Sequence, residues 1–210
     1  MPHAPASAKL SRMRTTLLTL CLLSAAAPAL AASGDWRRDA TAEDNDRIDR
    51  LQGAWHSALR AARRSNGPEV AALGALADPK AGLQGPEPAP GDYRCRAIKL
   101  GDRAGLGLPY VAYPWFRCRI ELSPGGDLSL RKLTGSQRTS GNLYPMNRKR
   151  LAYLGAEAWG DGEGPLAYNQ NPERNQAGVL ERIGPQRWRL VLPWPKYESE
   201  LDLLELVPAR

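Results

Sequence analysis

From Asp92 to the C-terminus the chain is a succession of short apolar segments separated by turn residues. No other feature restricts the fold as much. The segments run over 93–100, 115–122, 128–134, a weaker one at 142–144, then 151–155, 177–183, 187–192 and 201–207. Ser123-Pro124-Gly125-Gly126-Asp127, Gly160-Asp161-Gly162-Glu163-Gly164-Pro165 and Gly184-Pro185 punctuate them. Runs of this length, bounded by Gly, Pro, Asn and Asp, read as antiparallel strands. About eight of them predict a closed barrel, with a sandwich as the alternative.

The residues before this region have a different period. Thr41 is a good N-cap, with Glu43 and Asp44 in the first turn. Ile48, Leu51, Trp55, Leu59 and Ala62 then recur every three or four residues and mark one apolar stripe. Ser65-Asn66-Gly67-Pro68 ends this helix, and a second runs over about 69–76. Gly and Pro crowd residues 82–91, which reads as a linker. The expected fold is mainly β (α+β overall): a small antiparallel β-barrel over 92–210, preceded by a helical segment over 32–81. That helix is expected to cover a barrel end or an open sheet edge.

The first residues are an address. Lys9, Arg12 and Arg14 precede an apolar run from Leu17 to Ala27, and Ala29-Leu30-Ala31 offers a small-x-small cleavage site. This predicts a signal peptide over 1–31 and a periplasmic or secreted protein. An uncleaved anchor is the alternative, but about 17 apolar residues broken by Pro28 sit at the short limit for a bilayer span. No stable membrane insertion is expected after cleavage. Cys21 lies inside the apolar run rather than at its end, which argues against lipid anchoring. The whole chain carries +7, of which the leader supplies three charges. The remainder is too small an excess for a nucleic-acid-binding face.

Export into an oxidising space makes Cys95 and Cys118 a candidate disulfide. They sit in the near-repeats Tyr93-Arg94-Cys95-Arg96 and Phe116-Arg117-Cys118-Arg119. A hairpin that places Cys95 opposite Cys118 also places Tyr93 opposite Ile120 and Ala97 opposite Phe116 on one apolar face. The other face then carries Arg94 opposite Arg119 and Arg96 opposite Arg117. Like charges across strands are unfavourable. These arginines are therefore either solvated and paired with neighbouring acids, or an anion-binding patch for phosphate, carboxylate or acidic glycan.

Two polar stretches, 134–145 and 169–176, read as connections of ordinary turn chemistry or as recognition loops. Gln137, Arg138, Ser140, Tyr144, Glu173 and Arg174 are their candidate binding residues. Trp159, Trp188 and Trp194 line a cavity or pack, with Trp188 assigned to the core. His56, on the helix, is the only histidine after the leader, so a Ser-His-Asp or Cys-His site would have to use it. One histidine and a bonded cysteine pair do not make a zinc site. No glycine-rich phosphate loop follows a strand. No metal, cofactor or catalytic residue is assigned.

Several pieces together resemble a family of exported bacterial proteins classified as a domain of unknown function. They are Asp46-Arg47-Ile48 with Leu51 and Trp55, Tyr93-Arg94-Cys95, Thr134-Gly135-Ser136-Gln137-Arg138, Gly141-Asn142-Leu143-Tyr144-Pro145, Leu154-Gly155, Glu173-Arg174-Asn175 and Trp188-Arg189-Leu190-Val191-Leu192-Pro193. The resemblance implies export and a shared fold, and no activity. A second resemblance is to periplasmic C-type lysozyme inhibitor barrels. It rests on Tyr93-Arg94-Cys95, on Ser140-Gly141-Asn142-Leu143-Tyr144 and on residues 151–157, where Leu154 departs from that family's lysine. It implies an inhibitory loop at 140–144.

The resulting expectation is a non-catalytic periplasmic binding or inhibitor module, its partner an unknown envelope protein or a small anionic ligand or glycan. Two alternatives stay open: an envelope hydrolase using carboxylates such as Glu173, Glu181 or Glu198, and a structural envelope interaction protein.

Overall fold

The computed structural model describes residues 35–105, 108–123, 125–160 and 162–209, together with Met1 and His3. The leader features read over Lys9 to Ala31 lie outside the described residues. Among the described residues no helix is long and apolar enough to cross a membrane.

Three helices come first: α1 (Trp36–Asp39), α2 (Ala42–Asp49) and α3 (Leu51–Ala72). The short α1 forms ahead of the Thr41 cap, because Trp36 is buried and Asp35 caps it. Thr41 caps α2 through a hydrogen bond from the Asp44 N–H at 3.1 Å. α3 is kinked at Asn66, whose backbone is non-helical two residues before Pro68. A 3-10 turn, Gly74–Ala77, completes the helical segment.

Nine strands follow: β1 (Gly91–Leu100), β2 (Tyr110–Ala112), β3 (Phe116–Leu122), β4 (Leu128–Lys132), β5 (Gln137–Asn147), β6 (Arg150–Trp159), β7 (Asn175–Gly184), β8 (Arg187–Pro193) and β9 (Leu201–Pro208). All neighbours are antiparallel, in the order β2-β1-β3-β4-β5-β6-β7-β8-β9, and β9 pairs back onto β1 from Tyr93↔Pro208 to Leu100↔Leu201. Eight strands therefore close a barrel, and β2 is an extra strand on the C-terminal half of β1. The weak segment at 142–144 is the middle of the eleven-residue β5. The polar stretch 134–145, read as a connection, is mostly strand.

The barrel interior is filled by Tyr93, Cys95, Cys118, Ile120, Leu130, Leu143, Leu151, Tyr153, Leu180, Trp188, Leu190, Leu192, Leu204 and Leu206. Two paired glycines let β5 and β6 press together there. A Cβ on Gly141 would lie 2.3 Å from the Leu154 carbonyl, and one on Gly155 would lie 2.2 Å from the Tyr153 hydroxyl. A second apolar cluster lies outside the barrel wall. Ile98, Leu100, Val179, Val191, Leu201 and Leu203 face outward and pack on Leu51, Trp55, Leu59, Leu76 and their helical neighbours. The helices thus cover a side of the barrel, not an end or an edge. Strands β6 to β9 are buried on both faces, which is why they read as near-continuous apolar runs.

Cys95 and Cys118 are bonded, with Cα atoms 5.8 Å apart. The expected register is corrected by two residues: Tyr93 pairs with Cys118, Cys95 with Phe116, and Gly91 with Ile120. The disulfide therefore runs diagonally between neighbours on one face. Side-chain parity survives a two-residue shift, so the inward face is as expected. Closing this loop contributes on the order of 3 kcal/mol.

Candidate functional site

The two ends of the barrel differ. At one end Trp188 and Tyr93 stack edge to face, centroids 5.9 Å apart. Residues 83–90 run across them: Pro86 and Ala89 carbonyls accept from the Trp188 indole (3.0 Å) and the Tyr93 hydroxyl (2.8 Å). The Gly/Pro stretch thus closes this end.

At the other end the inward rows turn polar. Lys99 follows Cys95 and Ala97 on β1, Lys132 follows Leu128 and Leu130 on β4, and Glu157 follows Leu151 and Tyr153 on β6. Gln176 precedes Leu180 on β7, Asp202 precedes Leu204 on β9, and Gln137 and Thr139 begin the row of Leu143 on β5. Closure of β9 on β1 pairs Lys99 with Asp202. The result is a cavity with an outer chamber of about 430 Å³ and an inner one of about 70 Å³. Lys99, Gln137, Glu157, Gln176, Leu192 and Asp202 line both.

The polar groups are held in place. Gln137 accepts from both lysines, from Lys99 Nζ on its side chain (3.0 Å) and from Lys132 Nζ on its carbonyl (2.5 Å). Lys132 also lies 4.0 Å from the centroid of the Phe116 ring. It folds back this way because residue 135 is glycine (φ +89): a Cβ there would meet Lys132 Nζ and the Phe116 ring, each at 2.9 Å. Glu157 accepts from the Trp159 indole (2.7 Å) and from the Gln176 amide (3.2 Å). The Thr139 and Tyr153 hydroxyls share a hydrogen bond of 2.5 Å.

Burial shifts several of these groups. Asp202 is partly buried and lines both chambers. Desolvation pushes its carboxyl up to about 6, against the pull of Lys99 and of the Ser199 hydroxyl at 2.5 Å. Desolvation lowers the Lys132 ammonium to about 8, and Glu157 offsets only part of this. Burial also works to lower Lys99, but Asp202 and Glu198 outweigh it and raise its pKa.

The rim is built by loops. Trp159 and Tyr197 meet edge to face with centroids 5.6 Å apart, and Arg174 stacks 3.3 Å above the Trp159 ring. The loop between β8 and β9 holds Trp194 and Glu198 at positive φ (50° and 67°). Its conformation is secured by the Trp194 indole on the Arg50 carbonyl (3.2 Å) and by Glu198 on Lys99.

Of the binding residues read from sequence, Gln137, Glu173 and Arg174 line this cavity. The others lie elsewhere. Arg138 donates to the carbonyls of Gly135, Gly160 and Glu163 and ties loops together. Ser140 and Tyr144 are on the outer face of β5, where Ser140 Oγ donates to the Leu166 carbonyl (3.2 Å) and Tyr144 packs beside the helices. The segment likened to an inhibitory loop is thus mid-strand and does not protrude. The arginine face is partly engaged. Arg119 pairs across the strands with Asp92 (2.7 Å) rather than with Arg94, and Arg96 pairs with Glu205 (2.5 Å) on β9. Arg94 sits opposite Arg117, and Arg94 and Arg96 flank the Trp115 ring at 4.7 and 5.1 Å.

The three carboxylates weighed for hydrolysis do not converge. Glu181 is buried on the outer wall between Arg150 and Arg189 (2.7 and 2.6 Å), whereas Glu173 and Glu198 are on the rim. His56 is exposed on α3. Among the described residues no group of three His, Cys, Asp or Glu side chains is placed to hold a metal ion. Lys99, Lys132, Glu157, Gln176 and Asp202 were not singled out from sequence. Their signal was present: each is a polar residue at the end of a strand, in phase with that strand's apolar face.

Fold and site define a class: a closed eight-stranded antiparallel barrel with one sealed end, one open polar mouth and helices clasped to its wall. The family model described as a domain of unknown function (DUF4893) matches residues 36–206, and the chain belongs to that family. No curated protein and no solved structure matches it.

Proposed function

We propose that this is an exported, non-catalytic binding module that takes a small molecule into the mouth of its barrel. One observation carries the reading: the inward rows turn polar around a cavity of ligand size at one end, while the opposite end is sealed, its Arg182 and Trp188 donating to the Gln84 and Pro86 carbonyls. The aromatic rim and the shifted Asp202 and Lys132 are further marks of a site. The bonded cysteine pair supports an oxidising compartment. The mouth is favoured over the arginine face because Arg96 and Arg119 already have acidic partners.

The test is native mass spectrometry and thermal-shift screening of the mature protein, beside Ala97→Phe, which fills the inner chamber, and Trp159→Ala, which opens the rim. A small molecule that binds wild type and is lost in Ala97→Phe, with native circular dichroism in all three, supports the reading. Equal binding by all three overturns it.

A further inference from the structure

Each cation lining the cavity has a carboxylate partner except one. Lys99 is bonded to Glu198, Lys196 lies 3.4 and 3.5 Å from Glu43 and Glu173, Arg174 lies 3.3 Å from Glu163, and Arg47 pairs with Asp44 and Glu43. Lys132 has no carboxylate within ion-pair distance among the described residues. Its ammonium meets a backbone carbonyl and the face of an aromatic ring, both in the inner chamber. A half-buried ammonium without a counter-ion carries a desolvation cost, and an anion placed on it recovers part of that cost. Lys99 and Arg138 add to the local positive field, which Glu157 moderates.

Gln176 supplies a second, independent pointer. Its amide nitrogen donates to Glu157, an acceptor-only group when ionised, so the amide orientation is set. The Gln176 Oε1 atom is buried and accepts from no described group. A buried acceptor of this kind calls for a donor. The mouth therefore presents one cation that wants an anion, and its wall holds one covered acceptor that wants an N–H or O–H. Asp202 and Glu157 beside them disfavour a dianion.

We infer that Lys132 is the anchor of the mouth, and that its ligand is a small carboxylic acid bearing a hydroxyl or amino group, the carboxylate resting on Lys132 and the donor meeting Gln176 as that side chain turns toward the chamber. This rests on the binding reading above. The acid enters with its charged end in the inner chamber, and its remainder points outward to the rim where Trp159 and Tyr197 meet.

The experiment titrates the mature protein with L-lactate, L-serine, glycerol and inorganic phosphate. It follows Trp fluorescence and the NMR signals of the protein with 13C-methylated lysines. The Lys132 signal, assigned by its loss in Lys132→Met, is expected to titrate near pH 8. L-lactate or L-serine raises that midpoint by about one unit or more, because a bound carboxylate favours the ammonium. Lys132→Met weakens the acid at least tenfold, Lys132→Arg restores much of the affinity, and glycerol and phosphate bind more weakly than either acid. Equal affinity in Lys132→Met, tighter binding of phosphate, or no binding of either acid to wild type overturns the inference. Binding lost in Ala97→Phe but unchanged in Lys132→Met rejects the anchor and keeps the mouth. Binding unchanged in both rejects the mouth as well.

Discussion

Asp202 and Lys132 show how one end of a barrel pulls two charges in opposite directions. Both are desolvated, so both pKa values move toward the neutral form: Asp202 up to about 6, Lys132 down to about 8. The consequences for stability have opposite signs. Between about pH 4 and 6 the folded chain keeps the Asp202 proton that the unfolded chain has lost, so this contribution is full below pH 4 and gone as pH rises through 6. Between about pH 8 and 10.5 the unfolded chain holds the Lys132 proton that the folded chain has released, so stability rises with pH there. Asp202→Asn is expected to flatten the fall between pH 4 and 6 and to stabilise the protein at pH 7 by up to about 3 kcal/mol. Urea unfolding of wild type and variant at half-unit pH steps checks this. Parallel curves would show that Asp202 titrates normally.

At the scale of elements, one side chain joins the helical segment to the barrel. Arg189 projects from the outer face of β8 and is fully buried. It donates twice to Glu181 (2.8 and 2.6 Å) and to the carbonyls of Ala75, Leu76 and Asp78 (3.0, 2.9 and 2.7 Å), and it lies 4.8 Å from the centroid of the Trp55 ring. Those carbonyls end the helical segment and have no further helical turn to satisfy them. The planar guanidinium serves a carboxylate and three carbonyls at once, which a lysine ammonium cannot. Arg189→Met is expected to cost about 3 kcal/mol and to speed amide exchange over 73–83 by about a hundredfold. Arg189→Lys recovers only a small part. Hydrogen-exchange mass spectrometry reads both, and unchanged protection over 73–83 would dismiss the latch. A second tie joins α2 to the start of β7 and the loop before it, where Asp44 accepts from the Asn175 amide (3.4 Å) and the Tyr168 hydroxyl (2.6 Å).

For the whole molecule, the helices are part of the barrel's solubility. Their removal would bare Ile98, Leu100, Val179, Val191, Leu201 and Leu203 together on one wall. An exposed apolar patch of that kind drives association. A chain that begins at Gly82 is expected to elute from size exclusion as oligomers or aggregates, whereas the chain from Trp36 onward is a monomer-sized species. Light scattering that finds both monomeric would show that the wall needs no cover. The same double-sided burial leaves the mouth as the place where the barrel interior meets solvent through polar side chains.

Much of this was legible in the sequence, and the limit has a physical cause. Eight strand segments, an interruption of the helix at Asn66-Gly67-Pro68 (read as an end, found as a kink), the Thr41 cap and the cysteine pair follow from alternation, capping and turn chemistry, all of which act over a few residues. The register of β1 against β3 was two residues off, since a shift of two preserves parity and a diagonal disulfide suits the apolar face equally well. β5 was obscured because Ser140, Gly141 and Asn142 are poor strand formers whose place in a strand is set by neighbours on both sides. The mouth was missed for a deeper reason. Lys99, Lys132, Glu157, Gln176 and Asp202 each look alone like an ordinary charge or amide at a strand end. The sequence by itself determined which residues face inward. Only closure of β9 onto β1 decided which strand ends meet, and so which of those inward residues share one low-dielectric cavity.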